Sequence, residues 1–369
     1  MKMKKRLFSL LIVATLALPA AAQIRYKTVD IPDIPGYKTL KCDFHIHTIY
    51  SDGNVTPDVR VLEAVAEGLD AFAFTDHVYG KPSKNNANEA DRNSAFKKAK
   101  DYAAMFNILI INGAEISRNM PPGHVNAVFI DDANALIIPE FMDTYKEAKR
   151  QGGFLIWNHP GWWRHQPHST NWFQEHDEIY KNGLMQGIEV VNETEYFPEA
   201  HHWCLEKNLT MIANSDSHLP TNLRYDFSKG QHRPMTLVFA KDRSVAAIRE
   251  AMINRRTVVY HGDELIGREE YLRPLFEQSI EIAGTVYEKE EVEILVRNKS
   301  DVPFHLRKKG TNPDLEYDRD FIIPAKAYYL VGVKVKKAGT PVVLNFEVQN
   351  LLVTPNEGMD YQLVLKDKK

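Results

Sequence analysis

Two histidines separated by a single residue, His45 and His47, are the first part of the sequence whose residue types and spacing could support chemistry. They lie in a predicted β-strand that opens into a Ser-Asp-Gly turn, so both imidazoles share one face of the strand. Phe44 and Ile46 share the opposite, apolar face. Imidazole is the commonest protein ligand for transition metals, and Asp52 in the turn adds an oxygen ligand. An isolated pair is also typical of solvated histidines on an edge strand, so the choice between a metal site and a solvated pair depends on the other motifs of the chain.

Residues with metal-binding side chains recur where other predicted strands end. These strands are almost entirely apolar, which is typical of strands buried in a parallel sheet. The carboxyl ends of parallel strands meet at one mouth of a barrel, so we expect these side chains to lie together. Nitrogen and oxygen donors without a thiolate suit two or three divalent ions of zinc, manganese or iron. The nine candidate ligands are His45, His47, Asp52, His77, Glu115, His124, His159, Asp216 and His218.

Further side chains are expected to serve the same site without binding a metal. We expect Asp76 to orient a ligand by accepting a hydrogen bond. Arg118 and Arg164 follow candidate ligands closely enough to supply a cation to an anionic substrate, although each is equally compatible with an ordinary surface arginine. Trp162 and Trp163 are adjacent and cannot both point into one core, so one of them is expected to line a substrate cleft.

The elements that would position these residues alternate between strand and helix about seven times from Lys38 to Asn254. This pattern predicts an α/β fold, either a parallel barrel or a doubly wound sheet. Beyond about Ile282, alternating strands separated by turn residues predict a small antiparallel, sandwich-like domain. It carries no cluster of histidine or carboxylate residues, so we interpret it as a structural appendage rather than a glycan-binding or docking module. The predicted division is a signal peptide at 1–22, a larger α/β domain that carries the candidate ligands at 23–283 and a β-rich domain at 284–369.

The first predicted helix shows apolar residues at helical spacing. Val59, Leu62, Val65 and Ala66 share one face, and Gly68 is the expected stop. This spacing predicts a helix with one apolar face.

The composition is that of an ordinary globular protein, with 369 residues, 44% hydrophobic and 26% charged. A formal net charge of −3 argues against nucleic acid or an anionic membrane as the main partner. The basic N-terminus, the apolar run from Leu7 to Leu18 and the small residues up to Ala22 form a secretory signal, too short for a membrane anchor. We expect cleavage after Ala22, export to the periplasm or medium, and a small-molecule substrate; the oligomeric state stays open.

Two cysteines, Cys42 and Cys204, could form a disulfide in an exported protein. Cys42 lies on the apolar face of the first strand, where a free thiol packs as a small hydrophobic group. The spacing alone leaves both states open.

Taken together and in this order, the motifs resemble the PHP superfamily, which is named for polymerase and histidinol phosphatase. The resemblance covers roughly Lys38 to Gly262 and implies a distorted seven-stranded β/α barrel with a trinuclear metal site. The matching stretches are Asp43-Phe44-His45-Ile46-His47 with Ser51-Asp52-Gly53, Phe74-Thr75-Asp76-His77, Gly113-Ala114-Glu115, Gly123-His124, Asn158-His159-Pro160 and Ser215-Asp216-Ser217-His218.

Carried over position by position, the resemblance implies how the ligands divide among three ions. The first ion would be held by His45, His47, Glu115 and Asp216. The second would be held by Glu115, His124 and His159, with Glu115 bridging, and the third by Asp52, His77 and His218. Some members of the family have a histidine where Asp52 stands, which leaves occupancy of the third site open. Glu189 matches no ligand of the pattern and is expected to lie outside the metal-binding set.

The resemblance and the signal peptide together favour an exported metal-dependent phosphoester hydrolase, similar to a secreted bacterial branch of phosphodiesterases. The residues expected to take part in catalysis are Glu115, Asp216, Arg118 and Asp76. A phosphomonoesterase, similar to histidinol phosphatase or a nucleotide phosphatase, and an amide or lactone hydrolase on the same metals are the alternatives. A metal-bearing protein without enzymatic activity is disfavoured because a binding module has no need of nine converging ligands.

Overall fold

The computed structural model describes residues 29–79 and 91–365. The predicted signal peptide at 1–22 lies outside the described residues, and its cleavage stays a prediction.

The first domain combines eleven strands and seven helices over the described residues. Its strands are β1 (Lys38–Asp43), β2 (Ala71–Phe74), β3 (Leu109–Ile116), β4 (Val125–Val128), β5 (Phe154–Trp157), β6 (Gly187–Asn192), β7 (Glu195–Tyr196), β8 (Thr210–Asn214), β9 (Met235–Ala240), β10 (Thr257–His261) and β11 (Glu264–Gly267). Its helices are α1 (Pro57–Glu67), α2 (Ser94–Met105), α3 (Phe141–Arg150), α4 (Gln174–Lys181), α5 (Pro198–Glu206), α6 (Val245–Ile253) and α7 (Glu269–Ser279).

The strands of this domain form two parallel groups joined by an antiparallel strand. β1, β2 and β3 pair in parallel, as do β5, β6 and β8. β4 runs antiparallel to both β3 and β5, and β9 runs antiparallel to β1. The predicted α/β class is confirmed, but the chain departs from a regular strand–helix repeat at β4 and β9.

Threonine side chains complete the contact between β8 and the strands that follow it. The Thr236 hydroxyl accepts from the Ala213 N–H at 3.0 Å and donates to the Ala213 carbonyl at 2.9 Å. The Thr257 hydroxyl donates to the Met211 carbonyl at 2.9 Å. These side chains satisfy backbone groups of β8 that no neighbouring ladder on that side pairs, because β8 pairs only with β6 among the described strands.

Helix α1 and its end at Gly68 are confirmed, but its apolar face does not turn toward the interior. Val59, Leu62 and Val65 are 37–40% exposed, whereas Arg60 is 1% exposed. The face that carries Val59, Leu62 and Val65 is therefore partly exposed, and Arg60 lies on the buried face. The physical reason is that Arg60 enters the interior to bind backbone carbonyls, which gives its charge a full set of acceptors.

The second domain consists of antiparallel strands in two sheets. Its strands are β12 (Ile280–Glu288), β13 (Glu291–Asn298), β14 (Phe304–Lys308), β15 (Leu315–Tyr317), β16 (Asp320–Ile323), β17 (Tyr328–Val335), β18 (Val343–Thr354) and β19 (Glu357–Val364). One sheet has the order β12-β13-β17-β15, and β16, β14, β18 and β19 form the other. β18 also pairs in parallel with β11, so the second sheet continues that of the first domain. The boundary predicted after residue 283 falls inside β12, at a β-bulge between Ile282 and Gly284.

Both cysteines are buried free thiols. In the described part of the chain, no helix is long and apolar enough to cross a membrane.

Candidate metal centre

The two histidines of the opening motif lie just past the end of β1, in an extended segment rather than within the strand. The Ile46 backbone between them bridges in parallel to Ser217, and the His47 N–H donates to the Ser217 carbonyl at 3.1 Å. Because of this contact, side chains past the end of β1 still alternate between two faces, as they do in a strand. Both imidazoles therefore point inward and are fully buried. Asp43, two residues earlier, instead pairs with the buried Arg233 at 3.1 Å.

A first group of donors surrounds the point where His45 and His47 meet. Their Nε2 atoms are 3.1 Å apart. Asp216 Oδ1 lies 3.2 Å from His45 Nε2 and 3.1 Å from His47 Nε2. Glu115 Oε2 lies 3.6 and 3.4 Å from the same two nitrogens. This is the set that the family resemblance implies for the first ion.

A second group forms around the other oxygen of Glu115. Glu115 Oε1 lies 2.8 Å from His124 Nδ1 and 3.6 Å from His159 Nε2. Because its two oxygens face different histidines, the carboxylate occupies a bridging position between the two groups. His124 precedes β4, whereas Glu115 lies near the end of β3 and His159 follows β5, and the antiparallel direction of β4 brings His124 to the same edge.

A third group lies nearer to solvent, around Asp52. Asp52 Oδ2 is 3.4 Å from His77 Nε2, and Asp52 Oδ1 is 3.2 Å from His218 Nε2. The Asp52 side chain is 48% exposed, whereas no donor of the first two groups is more than 17% exposed. The structure thus brings all nine candidates together in three groups of possible ligand atoms, with His47 also able to join the third.

The hydrogen bonds around the first group leave bare lone pairs that suit a cation. His45 Nδ1 is 2.7 Å from Glu189 Oε1, and a carboxylate can only accept, so Nδ1 carries the proton and Nε2 the lone pair. Ser51 donates its hydroxyl to Asp76 at 2.6 Å and accepts from His47 Nδ1 at 3.3 Å, so His47 Nε2 is bare as well. Two lone pairs and a buried carboxylate oxygen at these distances repel one another unless a positive charge lies between them.

Two buried ligand atoms of the cluster also lack a hydrogen-bond partner in the described part of the chain. They are Asp216 Oδ1 and His159 Nδ1. Both residues adopt left-handed backbone conformations, with φ of 48° and 29°, which are costly for residues other than glycine. Strain and unpaired polar atoms at the ends of two strands are typical of a site built for a ligand, and the donor types fit divalent metal ions.

Without metal, protons compensate for the missing positive charge. Burial lowers the pKa of His45, but Asp216, Glu189 and Glu115 outweigh it and raise this pKa well above its usual value. Burial raises the pKa of Glu115, but the surrounding histidines outweigh it and hold this pKa well below its usual value. Burial together with His218 and His77 lowers the pKa of His47 to about 3. Metal binding must therefore displace protons from some of these histidines.

The structure places Asp76 and Arg118 outside the donor groups. Asp76 accepts hydrogen bonds from the Thr48 N–H at 2.7 Å and from the Ser51 hydroxyl, and so holds the turn that orients His47. Arg118 donates to the Tyr79 hydroxyl at 2.8 Å and to the Ile138 carbonyl at 2.7 Å, and lies 4.2 Å above the Tyr79 ring. The proposed contact of Arg118 with substrate stays a prediction.

Glu189 stays outside the three donor groups, as expected, but it contacts two candidate ligands directly. Its Oε1 accepts from His45 Nδ1, and its Oε2 accepts from the His159 N–H at 2.6 Å. Asn192 and Asn214 each donate to it at 2.8 Å. A carboxylate within a wholly apolar strand was the available signal, because such a group is retained only when buried partners satisfy it.

Arg60 is a second contributor that the sequence analysis missed. It donates to the carbonyls of His47 at 3.0 Å, Ser217 at 2.7 Å and Leu219 at 3.0 Å. One guanidinium thereby joins the two loops that carry His47 and His218. An arginine interrupting an apolar helical repeat gave no hint of which backbone it would meet.

Trp162 and His165 form a wall beside the second group. The Trp162 ring lies 5.2 Å from that of His159 and 6.0 Å from that of His124. The His165 ring lies 4.8 Å from that of His124. Trp163 is 63% exposed. One tryptophan thus borders the donor cluster and the other faces solvent.

Comparison with known proteins places the chain in a family. The PHP domain model matches residues 43–232, and a model described as an Ig-like domain matches residues 279–364. The chain belongs to the PHP domain family, which confirms the resemblance. Family membership and the donor cluster make it a PHP-like metal-dependent phosphoesterase, the predicted class of enzyme.

A solved structure shares both domains. It is a two-domain protein from Bacteroides vulgatus containing a predicted PHP-like metal-dependent phosphoesterase, 45% identical, with a TM-score of 0.89 over 92% of this chain and 98% of that one. Histidinol phosphate phosphatase from Lactococcus lactis, solved with zinc, L-histidinol and phosphate, is 18% identical, with a TM-score of 0.32 over 58% of this chain and 93% of that one. No curated protein matches the chain.

Proposed function

We propose that the protein is an exported phosphodiesterase that hydrolyses small phosphoesters at a centre of two or three zinc, manganese or iron ions. The three donor groups would hold the ions, with Glu115 shared between the first two and Asp52 on the most exposed one. When bound, such ions lower the pKa of a coordinated water and neutralise phosphate oxygens. The chain itself supplies orientation, because Glu189 and Ser51 determine which nitrogens of His45 and His47 face the centre.

The observation that supports a diester over a monoester is the apolar wall beside the second group. Trp162 presents an indole at 5.2 Å from His159. A dianionic monoester gains most from additional cations, whereas a diester has one negative charge and a second ester group to accommodate. Arg118 is engaged by Tyr79 and Ile138, and Arg164 places one cation beside the indole, with its guanidinium carbon 5.4 Å from the Trp162 ring centre.

A substrate panel tests the proposal. The metal-loaded protein is assayed with para-nitrophenyl phosphate, bis(para-nitrophenyl) phosphate, and amide and lactone substrates, with added Mn²⁺ or Zn²⁺. In diester hydrolysis a bond forms between water oxygen and phosphorus, the bond to the leaving oxygen breaks with its electron pair on that oxygen, and the proton lost by the water passes to the leaving oxygen or, when para-nitrophenolate leaves, to solvent. We expect the diester to be turned over at least as well as the monoester. A large preference for the monoester, or activity confined to the amide or lactone, would establish one of the alternatives instead.

Export rests on the order of basic, apolar and small residues at the N-terminus. N-terminal sequencing of protein recovered from the periplasm or medium should begin near Gln23. Recovery of the mature protein with Met1 intact would contradict export through this signal.

A further inference from the structure

Three consecutive residues form a stack that leads from the second donor group to solvent. Trp162 lies against His159 and His124. The guanidinium carbon of Arg164 lies 5.4 Å from the Trp162 ring centre and 5.3 Å from that of Trp163. Trp163 is the exposed end of this Trp162–Arg164–Trp163 stack.

The loop that carries the stack is tightly hydrogen-bonded. The Trp162 N–H donates to the His159 carbonyl at 2.9 Å, and the Gln166 N–H donates to the Trp162 carbonyl at 2.9 Å. The buried Gln166 side chain donates to the Pro160 carbonyl at 2.7 Å and accepts from the Asn171 N–H at 2.7 Å. The backbone that carries the stack is thus fixed before substrate arrives, which lowers the entropic cost of ordering this loop when a ligand binds.

The charge of Arg164 is available to a ligand. Within residues 29–79 and 91–365, no carboxylate forms an ion pair with it, and its described contacts are the two indole faces. By contrast, Arg297 over Tyr328 in the second domain is paired with Glu281 at 3.2 Å. A guanidinium held between indoles attracts anions, and its planar face and the exposed indole both bind flat aromatic rings.

We infer that the stack binds the second ester group of the substrate, and that the preferred substrates are phosphodiesters in which this group carries a flat aromatic ring, either aryl or nucleoside. This inference rests on the proposed phosphodiesterase function. Because Trp162 contacts His159 and His124, an ester bound at the donor cluster can extend its second group along the stack. The ring then lies on Trp163, and Arg164 adds attraction for the negative charge of the ester.

The test compares diesters that release the same leaving group, para-nitrophenolate. They are bis(para-nitrophenyl) phosphate, thymidine 5′-(para-nitrophenyl phosphate) and methyl para-nitrophenyl phosphate. We expect the wild-type protein to prefer the two aromatic diesters in kcat/KM. Trp163→Ala should lower kcat/KM for these two about tenfold and change the methyl ester by less than about twofold, because stacking on an aromatic side chain contributes at this scale. Arg164→Met should likewise lower the ratio of kcat/KM for the aromatic diesters to kcat/KM for the methyl ester.

Tyr328→Ala is the matched control, since it removes an equally exposed aromatic residue under an arginine but in the second domain. It should leave all three rates unchanged. Inhibition by phenylphosphonate and methylphosphonate provides a readout independent of turnover, and Trp163→Ala should weaken only the former. Absence of metal-dependent hydrolysis of any diester would overturn the proposed function itself. Hydrolysis of all three with a kcat/KM ratio that Trp163→Ala does not alter would overturn only this inference.

Discussion

At the scale of single residues, Glu115 is the side chain on which the donor cluster depends most. Its two oxygens face different histidines, and both must carry charge to serve two ions. Glu115→Gln replaces one oxygen with an amide nitrogen that cannot bind a cation. We expect the fold to survive, the paired ions to be lost and turnover to fall by about a thousandfold or more, comparable to removing a main electrostatic stabiliser.

The measurements are metal content, circular dichroism and diester hydrolysis. Glu264→Gln is the control, a half-buried carboxylate on β11 that makes no contact with the cluster. Near-normal turnover and metal content in folded Glu115→Gln would show that the carboxylate does not bridge.

Glu189 should give an intermediate result because it acts through His45 and the His159 backbone. Glu189→Gln keeps an acceptor for His45 Nδ1 but removes the charge that favours the required tautomer. We expect metal affinity to fall by about 10- to 100-fold while the fold and the stoichiometry at saturating metal are retained. Competition with a chelator measures the metal affinity. An unchanged affinity would show that the charge of Glu189 does not contribute to metal binding through His45.

As pH rises, the stability of the metal-free protein should fall, whereas the stability that metal binding adds should rise. Burial lowers the pKa of His218, but Asp52 and Asp216 outweigh it and raise this pKa to about 9 in the metal-free protein. A raised folded-state pKa contributes stability below the usual value of about 6.5, and this contribution is lost as pH rises through about 9. Denaturant unfolding of metal-free protein should therefore show lower stability at pH 9 than at pH 6.5.

Metal affinity should rise between pH 6.5 and pH 9, because His218 loses the proton with which a metal ion competes for its ring nitrogen. Isothermal titration in buffers of different ionisation enthalpy should detect proton release at pH 7. Metal binding without proton release would contradict this assignment of charge.

At the scale of elements, helix α1 organises the two loops that carry the outer ligands. Arg60→Met keeps length and burial but removes the donors to the carbonyls of His47, Ser217 and Leu219. We expect weakened binding at the group of Asp52, His77 and His218, with the two inner groups retained. Mn²⁺ titration followed by electron paramagnetic resonance would resolve this loss of one class of site.

Arg256→Met is the matched control for the Arg60 variant. Arg256 is also buried, donates to the Phe239 carbonyl and pairs with Glu250, but it touches no ligand loop. Equal loss of metal in both variants would indicate general destabilisation rather than positioning by Arg60.

The elements also show which features a sequence can reveal. The nine donors were predictable because strands buried in a sheet are apolar along their length, which makes a polar residue at the strand end conspicuous. Strand direction was not predictable at β4, since an antiparallel strand has the same apolar pattern as a parallel one. Likewise α1 follows a helical repeat, but only tertiary contacts show that Arg60 rather than Leu62 turns inward.

At the scale of the whole molecule, the second domain covers a sheet edge and stands apart from the chemistry. All nine donors precede Ser279, yet β18 pairs with β11 at Leu265 and Ile266, and Asn350 donates to the Asp263 carbonyl at 2.6 Å. Removing the domain leaves the apolar edge of β11 unpaired, which favours aggregation.

A fragment from Gln23 to Ser279, cut before β12, should bind as many ions per folded chain as the full protein. Its thermal midpoint should be lower and its light scattering greater. Metal analysis of the monomeric fraction decides the matter, because a folded fragment that has lost its ions would mean that the second domain helps to build the centre.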